Sequence, residues 1–68
     1  MPMDYAELIV KINQQANELV KATLITRNTT YKELTYFFEK YVTNQPTSTF
    51  FLDKFSDACY TYLQIYNK

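Results

Sequence analysis

The chain reads as all-α: a small three-helix bundle forming a single domain over residues 1–68. Three observations predict this. Apolar residues recur at three- and four-residue steps in three separate stretches, the spacing of one helix face. Two of those stretches open on the pattern of a capping box, a helix start signal. Glycine is absent from the whole chain, which argues against β-hairpins, whose tight turns want residues at positive φ. Asn28 and Asn44 could each supply one such residue.

The first helix is expected over Asp4–Ile25. Asp4-Tyr5-Ala6-Glu7 has the capping-box form, with an acceptor at the N-cap and a glutamate three residues on. Tyr5, Leu8, Ile9, Ile12, Ala16, Leu19, Val20 and Thr23 then form an amphipathic stripe. Lys11, Gln14, Gln15, Glu18 and Lys21 lie away from it. The stripe runs out at Leu24-Ile25, before the polar, turn-prone Thr26-Arg27-Asn28-Thr29.

A second helix is expected over Thr30–Thr43. Thr30-Tyr31-Lys32-Glu33 repeats the capping box, and Tyr31, Leu34, Phe37, Phe38, Tyr41 and Val42 share one broad face. Thr43-Asn44-Gln45-Pro46 ends it, because the residue before proline is driven out of the α region. The third helix is expected over Ser48–Asn67, capped by Thr47 or Ser48. Its inner face is Phe51, Phe55, Ala58, Cys59, Tyr62, Leu63 and Tyr66. Asp53 in its first turn and Lys68 at its end would both suit the helix dipole. The expected core joins Leu8, Ile12, Leu19, Leu34, Phe38, Phe55, Cys59 and Tyr62.

A domain of this size buries only about 60% of the surface its unfolded chain exposes, so stability is marginal. Small domains make up the deficit with disulfides, a metal or a partner. One cysteine excludes an internal disulfide, and no zinc-type ligand set is present. Tight helix packing and association remain. Seven basic and seven acidic side chains leave a net charge of zero, so bulk electrostatics give no steering toward phosphate. No apolar run approaches the roughly 20 residues of a membrane-spanning helix. The opening Met-Pro-Met-Asp lacks the basic start and apolar run of a signal peptide, so a cytoplasmic location is expected. Heavy use of Lys, Asn, Ile, Tyr and Phe fits AT-rich codons, as in a low-GC bacterium or its mobile elements.

Catalytic chemistry has little to work with. The chain has no histidine, so Cys59, its one strong nucleophile, lacks the usual base. On an inner helix face, such a cysteine acts as a small buried hydrophobe. Asp53 and Asp57 stand one turn apart, but a divalent cation wants six or more oxygen ligands in a shaped loop. The expectation is a non-enzyme with no catalytic residue, no metal and no cofactor.

The aromatics carry the functional signal. Eleven of the twelve fall between Tyr31 and Tyr66. A helix turns only part of its surface inward, leaving a surplus of rings in Tyr36, Phe50, Tyr60 and Tyr66, of which Tyr36, Tyr60 and at least one of Phe50 and Tyr66 are expected outside. Tyrosine is enriched at interface hot spots, which makes these four candidate partner-binding residues. The bland alternative is that such rings lie along the surface with their hydroxyls in water.

Nucleic acid is the competing use, since single-strand binders stack bases on rings and track the backbone with cations. Arg27, Lys32, Lys40 and Lys54 are the candidate contacts. Arg27-Asn28-Thr29-Thr30 could also present donors to a phosphate at the start of the second helix. Phe37, Tyr41, Asn44, Pro46, Thr47 and Phe55 give a Tyr/Phe-rich helix, a polar Asn-Pro-Thr turn and a second helix with an early Phe. This half of the chain resembles the helix-turn-helix part of winged-helix domains attached to phage and plasmid primases. The resemblance implies a setting in replication. The wing that follows in those domains is missing here, and the third helix has no arginine to read base edges.

Two readings follow, from different classes. One is a non-catalytic accessory protein that docks on a larger protein, or on itself, through an aromatic helix face, in replication or regulation of a bacterial mobile element. The other is a small DNA-binding protein acting on single strands. A third, a bacteriocin-immunity-type protein, is similar in size, although such proteins carry a fourth helix and more charge. Rings interleaved with Lys32, Lys40 and Lys54 would favour nucleic acid, and a ring patch with charges at its rim would favour protein.

Overall fold

The computed structural model describes residues 4–43 and 49–66. Within them the chain is all-α: α1 (Tyr5–Lys21), α2 (Tyr31–Phe37) running directly into a π-helical turn (Phe38–Val42), and α3 (Thr49–Tyr66). Tyr5 meets Phe50 and Phe51 at one end of the molecule, and Tyr66 Oη donates to Asn17 Oδ1 at the other. The two long helices therefore run parallel and pack directly on one another, and α2 with its π turn carries the chain back from the end of α1 to the start of α3. The expected three-helix bundle is the observed architecture.

Twelve buried apolar side chains form one cluster: Leu8, Ile12, Ala16, Leu19 and Val20 from α1, Ile25 from the following loop, Leu34, Phe38 and Val42 from the middle segment, and Phe55, Cys59 and Leu63 from α3. Phe38 and Phe55 meet edge to face at its centre, with ring centroids 5.6 Å apart, a geometry that favours the aromatic quadrupoles. Among the described residues no polar or charged residue is buried, so no buried polar group costs the core stability. Tyr62 departs from the expected core. It is half-buried at the edge, stacked on Tyr66 with centroids 6.3 Å apart, where its hydroxyl escapes the dry interior.

The two capping boxes behave differently. At Thr30 the box is complete: Glu33 N–H donates to Thr30 Oγ1 at 3.2 Å, and Thr30 N–H donates to Glu33 Oε1 at 3.0 Å. The Thr30 hydroxyl also donates to that carboxylate oxygen at 3.0 Å. These bonds hold the Glu33 carboxyl below the usual carboxylate range, the backbone donor first and the side-chain donor second. Asp4 occupies the N-cap of α1 but makes no side-chain cap bond. A hydroxyl can donate to the glutamate three residues on, whereas a carboxylate there repels it. Asp53 lies in the second turn of α3 instead of the first, which carries no acid. The expected caps Thr47 and Ser48, and Lys68, fall outside the described residues.

Helix one stops at Lys21 instead of running to Ile25. Leu24 N–H bonds Leu19 O at 2.9 Å and Thr23 N–H bonds Val20 O at 3.0 Å, the paired bonds of a Schellman motif. The motif needs a left-handed residue, normally glycine, and Thr23 fills it at φ 62°. A β-branched residue is poorly suited to that region. The break turns Ile25 into the core at 1% exposure, which offsets the local strain. Thr23→Gly should therefore stabilise the fold by about 1 kcal/mol and raise Tm by roughly 4–8 °C in a domain of this size. A lower Tm on thermal unfolding would show that Thr23 is not strained.

The second segment matches its expected span, but its last five residues wind as a π turn, with Thr43 N–H bonding Phe38 O at 3.0 Å. Phe38 and Val42 both stay at 1% exposure across it. Such single turns inside α-helices recur at functional sites.

Candidate functional site

All four candidate rings are exposed, Phe50 and Tyr66 both among them: Tyr36, Phe50, Tyr60 and Tyr66 are 55%, 48%, 54% and 47% exposed. Helix geometry accounts for three of them, while Tyr66, on the inner-face phase of Cys59, is exposed at the end of α3 beyond the last buried residue, Leu63. At 100° per residue, Tyr36 stands about 160° around α2 from both Leu34 and Phe38, which point inward. Tyr60 and Phe50 likewise lie off the Phe55–Cys59–Leu63 stripe of α3.

The rings do not gather into one face. Ring contacts among the described residues divide the exposed and half-buried aromatics into three groups. Tyr5, Phe50 and Phe51 bridge the beginnings of α1 and α3, with centroids 5.3–6.5 Å apart. Tyr36, Phe37 and Tyr41 follow the second helix, with Phe37 5.6 Å from Tyr36 and 6.1 Å from Tyr41. Tyr62 and Tyr66 pair near the end of α3. Tyr60 lies apart from these groups, beside Thr26, Thr29 and Cys59. Tyr31, on the broad face expected of the second helix, is 51% exposed and is one ring that sequence reasoning missed as a surface candidate; Tyr5 is another. Apolar spacing puts Tyr5 on the stripe of α1, yet it is 56% exposed. Its position in the opening turn, beyond the end of the core, was the available signal.

Two of the four candidate cations sit on rings. The Lys40 ammonium is 5.5 Å from the centroids of both Tyr36 and Tyr41 and donates to Tyr36 Oη at 3.3 Å. That hydrogen bond first, and the charge of the two phenols second, raise the Lys40 pKa above its ordinary value. The Lys54 ammonium lies 5.3 Å from the Phe50 centroid. These are cation–π distances. Arg27 and Lys32 are exposed elsewhere, on the loop after α1 and in the first turn of α2. The proposed phosphate cradle at Thr30 is already filled, because the Glu33 carboxylate accepts the Thr30 N–H and places its own negative charge at that helix start.

Tyr31 connects α2 to α3 through its hydroxyl, which donates to Asp53 Oδ1 at 3.3 Å. Desolvation first and the Asp53 charge second push its phenol pKa up. Asp53 is thus engaged with a tyrosine. Among the described residues no group of three or more His, Cys, Asp or Glu side chains is arranged to hold a metal ion.

Cys59 is buried at 1% exposure, and burial pushes its thiol pKa up to about 12. The space beside it, lined by Ile25, Leu34 and Leu63 among others, measures about 10 Å³, room for roughly one water. A neutral thiol behind such a space is neither nucleophilic nor reachable. A thiol reagent should label native Cys59 far more slowly than the unfolded chain, and Cys59→Ser should cost about 1–3 kcal/mol by leaving a hydroxyl without a partner. Equal labelling rates for native and unfolded protein would contradict the burial.

Among the described residues no helix is long and apolar enough to cross a membrane. No family model matches the chain, and neither a curated protein nor a solved structure matches it.

Proposed function

We propose that this protein is a non-catalytic accessory subunit that docks on a larger protein through its exposed rings, in the replication or regulation of a bacterial mobile element. The observation that carries the reading is the Tyr5–Phe50–Phe51 cluster. Three rings in mutual contact join two helices at one end of the bundle, and Tyr5 and Phe50 remain about half exposed at 56% and 48%. Contiguous apolar surface of this kind is a hallmark of contact sites, whereas a scattered ring is not. Aromatic anchors supply much contact area for few rotamers. Zero net charge also suits a contact that excludes water better than one that follows phosphates. The setting rests on the AT-rich residue usage and the primase-domain resemblance.

One observation favours direct single-strand binding as a second reading. Lys40 lies between Tyr36 and Tyr41, and Lys54 lies on Phe50, so rings and charges interleave at these places as they do in strand-binding surfaces. A titration of labelled single strands at two salt concentrations, run beside capture from a host lysate, separates the two. Docking predicts a partner captured by the parent protein and lost with Phe50→Ala, with strand binding weak at both salts. Strand binding that falls steeply with salt and is lost in Lys40→Ala and Lys54→Ala would replace the first reading with the second.

A further inference from the structure

We infer that Ala22–Leu24 is a hinge across which α1 exchanges with the α1 of a second copy of this chain, giving a dimer in which each α1 packs on its partner's α3. The inference is independent of the docking proposal. It begins with Thr23, a β-branched residue held at φ 62° in a chain that has no glycine. Opening the hinge releases Thr23 to negative φ, so the closed monomer contains a local strain that the open form lacks.

The bonds across the hinge are replaceable. Leu24 N–H and Ile25 N–H both reach Leu19 O, at 2.9 and 3.2 Å, and Thr23 N–H reaches Val20 O. A continued helical turn or water satisfies the same groups. Ala22, Thr23 and Leu24 are all exposed, so the hinge can straighten without emptying the core.

The buried residues on either side belong to different halves of the molecule. Leu19 and Val20 are part of α1. Ile25 lines the small space shared with Leu34, Cys59 and Leu63, so it stays with α2 and α3 when α1 leaves. An exchanged dimer therefore rebuilds the α1–α3 interface between chains and relieves two copies of Thr23. The neutral chain sets no charge barrier between the copies. Against exchange stands the entropy of association, which makes the dimer concentration-dependent. A short hinge under strain is the condition that favours such swapping.

Asn13 and Thr61 are exposed and line the same groove between α1 and α3. The full chain carrying Asn13→Cys and Thr61→Cys is refolded at micromolar and at millimolar concentration, then joined with a short bismaleimide. Buried Cys59 serves as the unreactive control in the parent chain. A monomer links within one chain and runs as a monomer in denaturant, whereas an exchanged dimer links between chains and runs as a covalent dimer. The expected result is covalent dimer that grows with concentration and falls at least about tenfold when Thr23→Gly is added. Links within single chains at every concentration would overturn the inference, whether or not a dimer is present before denaturation. Covalent dimer insensitive to Thr23→Gly would overturn the assignment of the hinge.

Discussion

Phe55→Ala should lose about 3–5 kcal/mol of stability, enough to leave the domain largely unfolded. Phe55 is 0% exposed and meets Phe38 edge to face. It packs in the one cluster to which α1, the middle segment and α3 all contribute, so its loss loosens every helix contact at once. Truncation removes both the transfer free energy and the ring–ring contact, and it leaves a cavity that rigid helices close only in part. Urea titration followed by circular dichroism measures this. A midpoint near that of the parent would mean the core is not closed around Phe55.

Leu34→Ala should cost about 2–5 kcal/mol. Leu34 is the one buried residue of α2 before its π turn, and it meets Ile25, Cys59 and Leu63 around the small space at that end of the core. That space enlarges when the isobutyl group goes, so the cost should fall toward the upper part of the range. The loss should appear as faster detachment of α2, with early amide exchange there, because few other side chains hold it. Thermal unfolding that matches the parent would remove Leu34 from the core.

The fold was legible because each stretch repeats its apolar residues at helical spacing and no stretch alternates. The Thr30 start was legible as well, since Thr and Glu at that spacing satisfy one another. The end of α1 was not. Its stripe continues to Thr23, and the stop depends on a threonine taking the conformation of a glycine, which no propensity predicts. Ile25 was missed for the same reason, because a chain reversal instead of helical phase puts it inside. The π turn also left no trace in the pattern, as Phe38 and Val42 face the core in either winding.

At the candidate surface, exposure followed from helical phase for Tyr36, Phe50 and Tyr60, whereas Tyr66 shares the phase of Cys59 and is exposed at the end of α3, past the last buried residue Leu63. Their neighbours did not. Which rings meet depends on how the helices cross, and spacing within one helix carries no information on that. The Tyr5–Phe50 contact joins residues of the first and third helices, far apart in sequence, and the parallel course of α1 and α3 brings them together. The placement of Lys40 over two rings follows spacing within one helix for Tyr36, but for Tyr41 it depends on the π turn as well.

Both functional readings rest on one division of labour: inward rings hold the fold, and outward rings are free for a partner. Tyr36 and Phe38 test it, two positions apart on one helix, at 55% and 1% exposure. The measurement is the unfolding free energy of Tyr36→Ala beside Phe38→Ala under the same conditions. Phe38→Ala should lose about 3–5 kcal/mol and Tyr36→Ala less than about 1 kcal/mol, the difference between a core ring and a surface ring. Comparable losses for the two would contradict the account, because Tyr36 would then belong to the fold instead of being available to a partner.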